Sequence, residues 1–184
     1  MIQTNMDKKM FTCGIFLDFK KAFDTITVFY LINCAIMELE VLLEWFTSYL
    51  ANRTQTTHID NDHISSKKNS VTGVPQGSVL GPLLFLIYIK DIYLCSNKLG
   101  FYLFADDTNL LYADNDLKTL ETVVNNELNN VCHWLNANKL IINAKRSNFV
   151  ILRPAQKRLI NHQPCIRISD NNNNGSRFLN VKIM

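Results

Sequence analysis

The chain has 184 residues, of which 47% are hydrophobic and 19% are charged, a composition typical of one globular domain and unlike that of a disordered protein. Its formal net charge of +3 is compatible with a nucleic-acid partner but is too small to predict one. The five cysteines are scattered and form no Cys-x-x-Cys pair, so they predict neither a disulfide framework nor a zinc site and favour a reducing compartment.

The first predicted strand runs from Phe11 to Phe19, where apolar residues occupy nearly every position, as in a strand buried on both faces. Asp18 lies near its end, and an ionised carboxylate is costly to bury there unless it reaches water, a cation or a hydrogen-bond donor. A cation ligand and a simple cap or turn residue are both open interpretations of Asp18. Apolar residues at helical spacing then predict a helix within Thr25 to Leu50. Residues 51–70 indicate a loop or a weak hairpin.

The segment from Gly73 to Pro82 has three glycines and two prolines in ten residues, which excludes the interior of a regular helix or strand. Pro82 suits the first turn of a helix from Leu83 to Ile92. A glycine-rich loop before a helix can hold a phosphate group or a nucleotide, but a tight connection into a buried helix explains it equally well. No Gly-Lys-Ser/Thr sequence is present, so this is not a Walker loop.

Residues Phe101 to Tyr112 form two apolar, aromatic-rich runs around the adjacent Asp106 and Asp107. This pattern predicts a β-hairpin with the two carboxylates at its tip. Two like charges about 4 Å apart repel by roughly 4 kcal/mol at an effective dielectric near 20. A hard cation such as Mg²⁺ would turn that repulsion into a binding site, although an isolated Asp-Asp pair is more often a solvated turn.

Leucine and valine residues at steps of three and four predict a helix from Asp116 to Asn138, with Asp116 as its N-cap. Strand-like composition returns from Leu140 to Leu152 and from Phe178 to Ile183. This order of elements predicts an α+β domain with a mainly antiparallel sheet.

No membrane or export signal is visible in the sequence. Its most apolar run, from Val79 to Ile89, is much shorter than the roughly 20 residues of a membrane span. The N-terminus has no secretory signal. We therefore expect an intracellular protein of the cytoplasm or nucleus that is neither secreted nor membrane-bound.

Five sequence blocks resemble, in order, motifs A to E of the reverse transcriptase domain of non-LTR (LINE-type, jockey-like) retrotransposons. These blocks are Phe16–Asp24, Gly73–Leu83, Phe104–Asp107, Trp134–Leu140 together with Lys145–Ser147, and a divergent motif E at Arg177–Val181. The resemblance implies that residues 1–184 form a partial reverse transcriptase domain. This would be the palm of a right-hand polymerase, with a mainly antiparallel sheet packed on helices. We expect fingers and thumb to be largely absent and no endonuclease domain to be present.

The resemblance implies an RNA-directed DNA polymerase that adds dNTPs to a DNA primer on an RNA template, and it indicates no protein partner. Asp18, Asp106 and Asp107 would be its catalytic residues and its ligands for two Mg²⁺ ions, with Mn²⁺ as an alternative. The nucleotide-binding residues would be Phe19, Phe23, Pro75, Gln76, Gly77, Ser78, Ala105 and Arg146. Phe23 would be the steric gate against a ribose 2′-hydroxyl, and Ala105 would lie near the primer end.

The sequence also departs from the family pattern. Arg146 stands where the family usually has a lysine before serine or threonine, and arginine is a poor proton donor because it keeps its proton. Asn180 replaces the expected glycine of motif E. Two alternatives therefore accompany the polymerase hypothesis. One is a catalytically silent remnant that at most binds RNA or an RNA–DNA duplex, and the other is a two-metal nuclease, which would not need the Pro-Gln-Gly-Ser loop.

Overall fold

The computed structural model describes residues 2–26, 40–59, 64–70, 72–75, 77–154, 157, 164–170, 175–178 and 180–183. Its α-helices are α1 (Ile2–Asp7), α2 (Glu40–Leu50), α3 (Leu80–Ile89) and α4 (Leu117–Ala137). Its strands are β1 (Phe11–Leu17), β2 (Arg53–Gln55), β3 (Lys68–Ser70), β4 (Gly100–Phe104), β5 (Asp107–Asp114), β6 (Asn148–Leu152), β7 (Arg167–Asp170), β8 (Gly175–Phe178) and β9 (Asn180–Ile183). The chain divides into a first unit, residues 1–20 with 90–184, and a second unit, residues 21–89.

A five-stranded sheet in the order β4-β5-β1-β6-β9 forms the centre of the first unit. Its neighbouring strands are antiparallel except for β6 and β9, which are parallel. The mainly antiparallel α+β architecture predicted from the sequence is therefore confirmed. β1 lies between β5 and β6, and this central place accounts for its nearly continuous run of apolar residues.

The two faces of this sheet differ in burial. On one face Ile15 lies opposite Leu110 of β5 and Phe149 of β6, and all three side chains are fully buried. Helix α4 packs on β1 and β5 through its apolar stripe, which is fully buried at Leu120, Val124, Leu128, Val131 and Leu135. On the other face Phe16 is 43% exposed. The sheet therefore has a core side under α4 and a second side that is exposed at Phe16 but buried at Thr12 and Gly14.

The strongest helix prediction is confirmed at both ends. Helix α4 begins at Leu117 and ends at Ala137, and the Asp116 carboxylate accepts the Thr119 backbone N–H at 2.8 Å. The Thr119 hydroxyl donates to the same carboxylate oxygen at 2.9 Å. These hydrogen bonds lower the pKa of Asp116, because they stabilise its ionised form.

The second unit contains α2, the β2–β3 hairpin and α3. The hairpin, with Arg53 opposite Ser70, confirms the weak hairpin expected in residues 51–70. Helix α3 is buried at Leu84, Phe85, Tyr88 and Ile89. Residues 27–39 lie outside the described residues, so the helix predicted within Thr25 to Leu50 is tested only at Thr25 and Ile26, which are not helical, and over Glu40–Leu50, where it is found.

Several predicted boundaries are wrong. The strand expected to reach Phe19 ends at Leu17, and the helix expected from Leu83 to Ile92 runs from Leu80 to Ile89. That helix starts early because the Ser78 hydroxyl accepts the Gly81 backbone N–H at 3.0 Å. Pro82 is thus the third helical residue, where its missing N–H has no intrahelical partner to lose.

Two other predicted strands are shorter than expected. Only Asn148–Leu152 of the stretch 140–152 forms a strand, because a turn at residues 144–146 interrupts it. At the end of the chain, β8 ends at Phe178 and β9 occupies Asn180–Ile183. No helix in the described part of the chain is both long and apolar enough to cross a membrane.

Candidate active site

The first candidate residue, Asp18, directly follows β1 and is only partly exposed. The pairing of β1 with β5 ends where Leu17 lies opposite Thr108. Asp18 follows Leu17 and Asp107 precedes Thr108, so both lie just beyond the last pair of these two strands. The fold therefore places two acidic residues that are far apart in sequence at the same end of two adjacent strands.

The hairpin between β4 and β5 carries the other two candidates, with a tip that differs from the prediction. Phe104 pairs with Asp107, so the two-residue turn is Ala105-Asp106, and Asp107 is the first residue of β5. The expected Asp106-Asp107 tip is thus wrong by one residue. Ala105 has φ 50°, the left-handed conformation that non-glycine residues seldom adopt, and this places the turn one residue earlier.

Hard oxygen donors are the ligands that Mg²⁺ prefers, and Asp18, Asp106 and Asp107 supply only such donors. Asp106 and Asp107 are both exposed, so a cation could reach them from solvent. Within the described residues, however, no three His, Cys, Asp or Glu side chains are gathered closely enough to hold a metal ion. The backbone register and the donor chemistry fit a divalent-cation site, while the present side-chain positions do not form one.

A turn beside Asp18 holds the backbone of that residue. The Asp18 N–H donates to the Ser147 hydroxyl at 3.0 Å, and the Asp18 carbonyl accepts the Asn143 N–H at 2.7 Å. Phe19 is buried and forms an isolated bridge with Ile142. The same turn carries the exposed Arg146, so Phe19 and Arg146 both lie in the first unit with the carboxylates.

Four predicted nucleotide-binding residues lie together in the second unit. Phe23, Pro75, Gly77 and Ser78 line an open cleft of about 490 Å³. Gln76 lies outside the described residues. The cleft also includes Val74, Val79, Gly81 and Pro82. The ring of Phe23 packs at a tilt on Phe85, with centroids 5.5 Å apart, which holds one wall of the cleft in place.

The glycine-rich loop is held against the segment that carries Phe23. The Phe23 carbonyl accepts the Val74 N–H at 2.8 Å, and the Ile26 carbonyl accepts the Gly73 N–H at 2.6 Å. Gly73 has φ 81°, and a Cβ there would lie 2.8 Å from the Cα of Asp24. Only glycine fits such a close approach of two backbones. These contacts constrain the start of the loop at Gly73 and Val74.

Two residues hold candidate segments in place although the sequence predicted no role for them: Arg53 at the glycine-rich loop and Ser147 at Asp18. The Arg53 side chain donates to the carbonyls of Leu50, at 3.1 Å, and of Gly73, so it fixes the start of the glycine-rich loop. Ser147 belongs to a sequence motif but has no predicted role of its own. Neither role had a sequence signal, because each depends on backbone groups brought close by the fold.

Comparison with known proteins gives the family. The family model described as "Reverse transcriptase (RNA-dependent DNA polymerase)" matches residues 2–183. The chain is 29% identical over 157 residues to the probable RNA-directed DNA polymerase from transposon X-element of Drosophila melanogaster, covering 81% of this chain and 17% of that protein. It is 35% identical over 91 residues to the RNA-directed DNA polymerase from mobile element jockey of the same species, covering 47% of this chain and 10% of that protein.

Both relatives are much longer than this chain, which spans less than a fifth of their length. Among solved structures, an apo telomerase from Candida Tropicalis, truncated from its C-terminal domain, is similar with a TM-score of 0.57. That likeness covers 96% of this chain and 38% of the telomerase chain at 12% identity. At such low identity it shows a shared fold alone, and it supports the polymerase-palm architecture expected from the sequence.

Proposed function

The chain belongs to the reverse transcriptase (RNA-dependent DNA polymerase) family, and we propose that its carboxylates Asp18, Asp106 and Asp107 form the centre for adding dNTPs to a DNA primer on an RNA template. The observation that supports this proposal is the β1–β5 pairing, which ends at Leu17 and Thr108 and so places Asp18 and Asp107 at the same end of adjacent strands. Family membership makes nucleotidyl transfer the expected chemistry. This pairing supports a shared site for a residue of motif A and the Asp-Asp pair of motif C.

Nucleotidyl transfer attaches the 3′-oxygen of the primer to the α-phosphorus of the dNTP and releases pyrophosphate. Two Mg²⁺ ions, when bound, would favour the deprotonated primer hydroxyl and stabilise the negative charge on the leaving oxygens. Asp18 and Asp106 would hold these ions, and Asp107 would complete the set of oxygen donors. Arg146, exposed on the turn beside Asp18, would bind phosphate oxygens as a fixed cation. It would not donate a proton to pyrophosphate, because a guanidinium group stays protonated.

We assign dNTP selection to Phe23 and the glycine-rich loop. The packing of Phe23 on Phe85 gives the proposed gate a fixed position, which a steric filter against a 2′-hydroxyl requires. Pro75, Gly77 and Ser78 offer a mixed apolar and polar wall in the same cleft. Gln76 belongs to this proposed set by its place in the motif.

A second candidate function has one observation in its favour. Arg146 stands where the family usually has a lysine, and this departure favours a silent remnant that at most binds RNA or an RNA–DNA duplex. The nuclease alternative is weaker, since a nuclease has no use for a dNTP cleft.

Primer extension decides between polymerase and remnant. The chain would be assayed alone and fused to the fingers and thumb of a family member, with Mg²⁺, a DNA primer, an RNA template and dNTPs. Extension by either form supports the polymerase. If neither form extends the primer while the chain still binds the RNA–DNA duplex, the remnant is the correct function.

A further inference from the structure

The turn beside Asp18 is an insertion in the β1–β6 ladder. Phe16 pairs with Asn148, and pairing resumes as the single bridge between Phe19 and Ile142. Residues 17–18 on one side therefore face residues 143–147 on the other. Insertions of this kind break a regular ladder and re-aim side chains, and they are common next to active sites. Here the break falls at the proposed catalytic carboxylate.

The inserted turn has its own internal hydrogen bonds. The Asn143 carbonyl accepts the N–H groups of Arg146, at 3.0 Å, and of Ser147, at 2.9 Å. The side-chain amide of Asn148 donates to the Arg146 carbonyl at 3.3 Å. These bonds set the place of Ser147 in the turn independently of its contact with Asp18.

Ser147 replaces the strand partner that Asp18 lacks at this break. Its hydroxyl oxygen accepts the Asp18 N–H at 3.0 Å, and its side chain is fully buried. Together with the Asn143 N–H on the Asp18 carbonyl, this bond holds both backbone polar groups of Asp18. A carboxylate on a fixed backbone has fewer conformations to lose when it binds a cation.

We propose that Ser147 is a positioning residue, whose hydroxyl holds the Asp18 backbone so that the Asp18 carboxylate can take part in divalent-cation binding. This inference rests on the proposed function, since it assigns a supporting residue to the same carboxylate site. It predicts that the hydroxyl oxygen, and not merely the volume of the side chain, sets the affinity of the site.

The test measures Mn²⁺ binding to the 184-residue chain by electron paramagnetic resonance, with Mn²⁺ as the probe for a hard divalent cation. Ser147→Ala removes the acceptor, Ser147→Cys fills similar space with a weak acceptor, and Ser147→Thr keeps the hydroxyl. The matched control is Ser96→Ala. Ser96 is also buried, and its hydroxyl accepts the Leu99 N–H at 3.1 Å. It precedes β4, at the end of that strand away from the hairpin tip.

We expect Ser147→Ala and Ser147→Cys to weaken Mn²⁺ binding about tenfold or more, as loss of a group that orients a metal ligand does elsewhere. Ser147→Thr and Ser96→Ala should bind as the wild type does. Circular dichroism identifies the folded variants, and the test needs only one folded variant of the two that remove the Ser147 hydroxyl. Affinity unchanged by removal of the Ser147 hydroxyl, or lowered equally by Ser96→Ala, overturns the positioning role alone. The wild-type chain should also lose Mn²⁺ binding on Asp106→Asn. If the wild type binds no Mn²⁺, or if Asp106→Asn leaves its binding unchanged, the proposed function is overturned and the positioning role with it.

Discussion

The left-handed Ala105 at the hairpin tip predicts that two identical substitutions in one hairpin have opposite effects on stability. Ala105 has φ 50°, and this conformation costs an L-residue with a Cβ roughly 1–2 kcal/mol. Ala105→Gly removes that strain from the folded state. Ala113 lies inside β5 opposite Thr12, where glycine weakens the strand by roughly 0.5–1 kcal/mol.

The difference between the two variants isolates the strain. Replacing alanine by glycine raises the conformational entropy of the unfolded chain, which destabilises the fold by the same amount, about 0.4–1 kcal/mol, at either position. We therefore expect Ala105→Gly to be neutral or stabilising by up to about 1.6 kcal/mol after that cost, and Ala113→Gly to be destabilising. The separation between them should be roughly 1–2 kcal/mol.

The assay is urea unfolding followed by circular dichroism, with the free energy of unfolding of both variants and the wild type extrapolated to water. Equal m-values would show that the substitutions act on stability and not on the compactness of either state. Equal destabilisation by Ala105→Gly and Ala113→Gly would refute the strained turn, and with it the assignment of the tip to Ala105-Asp106.

Three further predictions concern the core, the cap and the cleft. Leu110 is fully buried, so Leu110→Ala should lower the free energy of unfolding by about 3 kcal/mol; a loss below about 1 kcal/mol in urea unfolding would contradict the burial on which the estimate rests. Because hydrogen bonds from Thr119 lower the pKa of Asp116 in the folded state, the carboxylate stabilises the fold above its unfolded pKa and loses this effect as pH falls through the folded value. As pH falls below about 4, the free energy of unfolding of the wild type should therefore decrease more than that of Asp116→Asn. Parallel curves of the free energy of unfolding against pH would disprove the cap. In a chain that extends primers, Phe23→Val should raise incorporation of rNTPs relative to dNTPs, and unchanged discrimination in single-nucleotide assays would remove Phe23 from the gate.

Sequence periodicity correctly predicted the elements whose apolar pattern is compatible with only one secondary structure. Helix α4 is such a case, since its apolar stripe and the capping Asp116 are local features. The strand β1 was also predictable, because its run of apolar residues suits a central position. The predicted strand Leu140–Leu152 was wrong over most of its length, since composition alone cannot show that a turn faces Asp18.

The candidate site was only partly predictable for the same reason. The chemistry of Asp18, Asp106 and Asp107 can be read from residue type and from resemblance to a family. Their register cannot be read locally, because it depends on which strands become neighbours. The hairpin tip was misplaced because the sequence Ala-Asp-Asp has no glycine to mark the left-handed position, and in the structure alanine takes it.

The most direct test of the proposed active site is Mg²⁺-dependent incorporation of one complementary dNTP opposite an RNA template. It would be measured with the fusion to family fingers and thumb, for the wild type, Asp18→Asn, Asp106→Asn and Asp114→Asn. Asp114 is the matched control, since it lies at the other end of β5 from the hairpin tip. The proposed site predicts incorporation by the wild type and Asp114→Asn and none by the other two variants. Incorporation that survives Asp18→Asn or Asp106→Asn would contradict the assignment of these carboxylates to the catalytic centre.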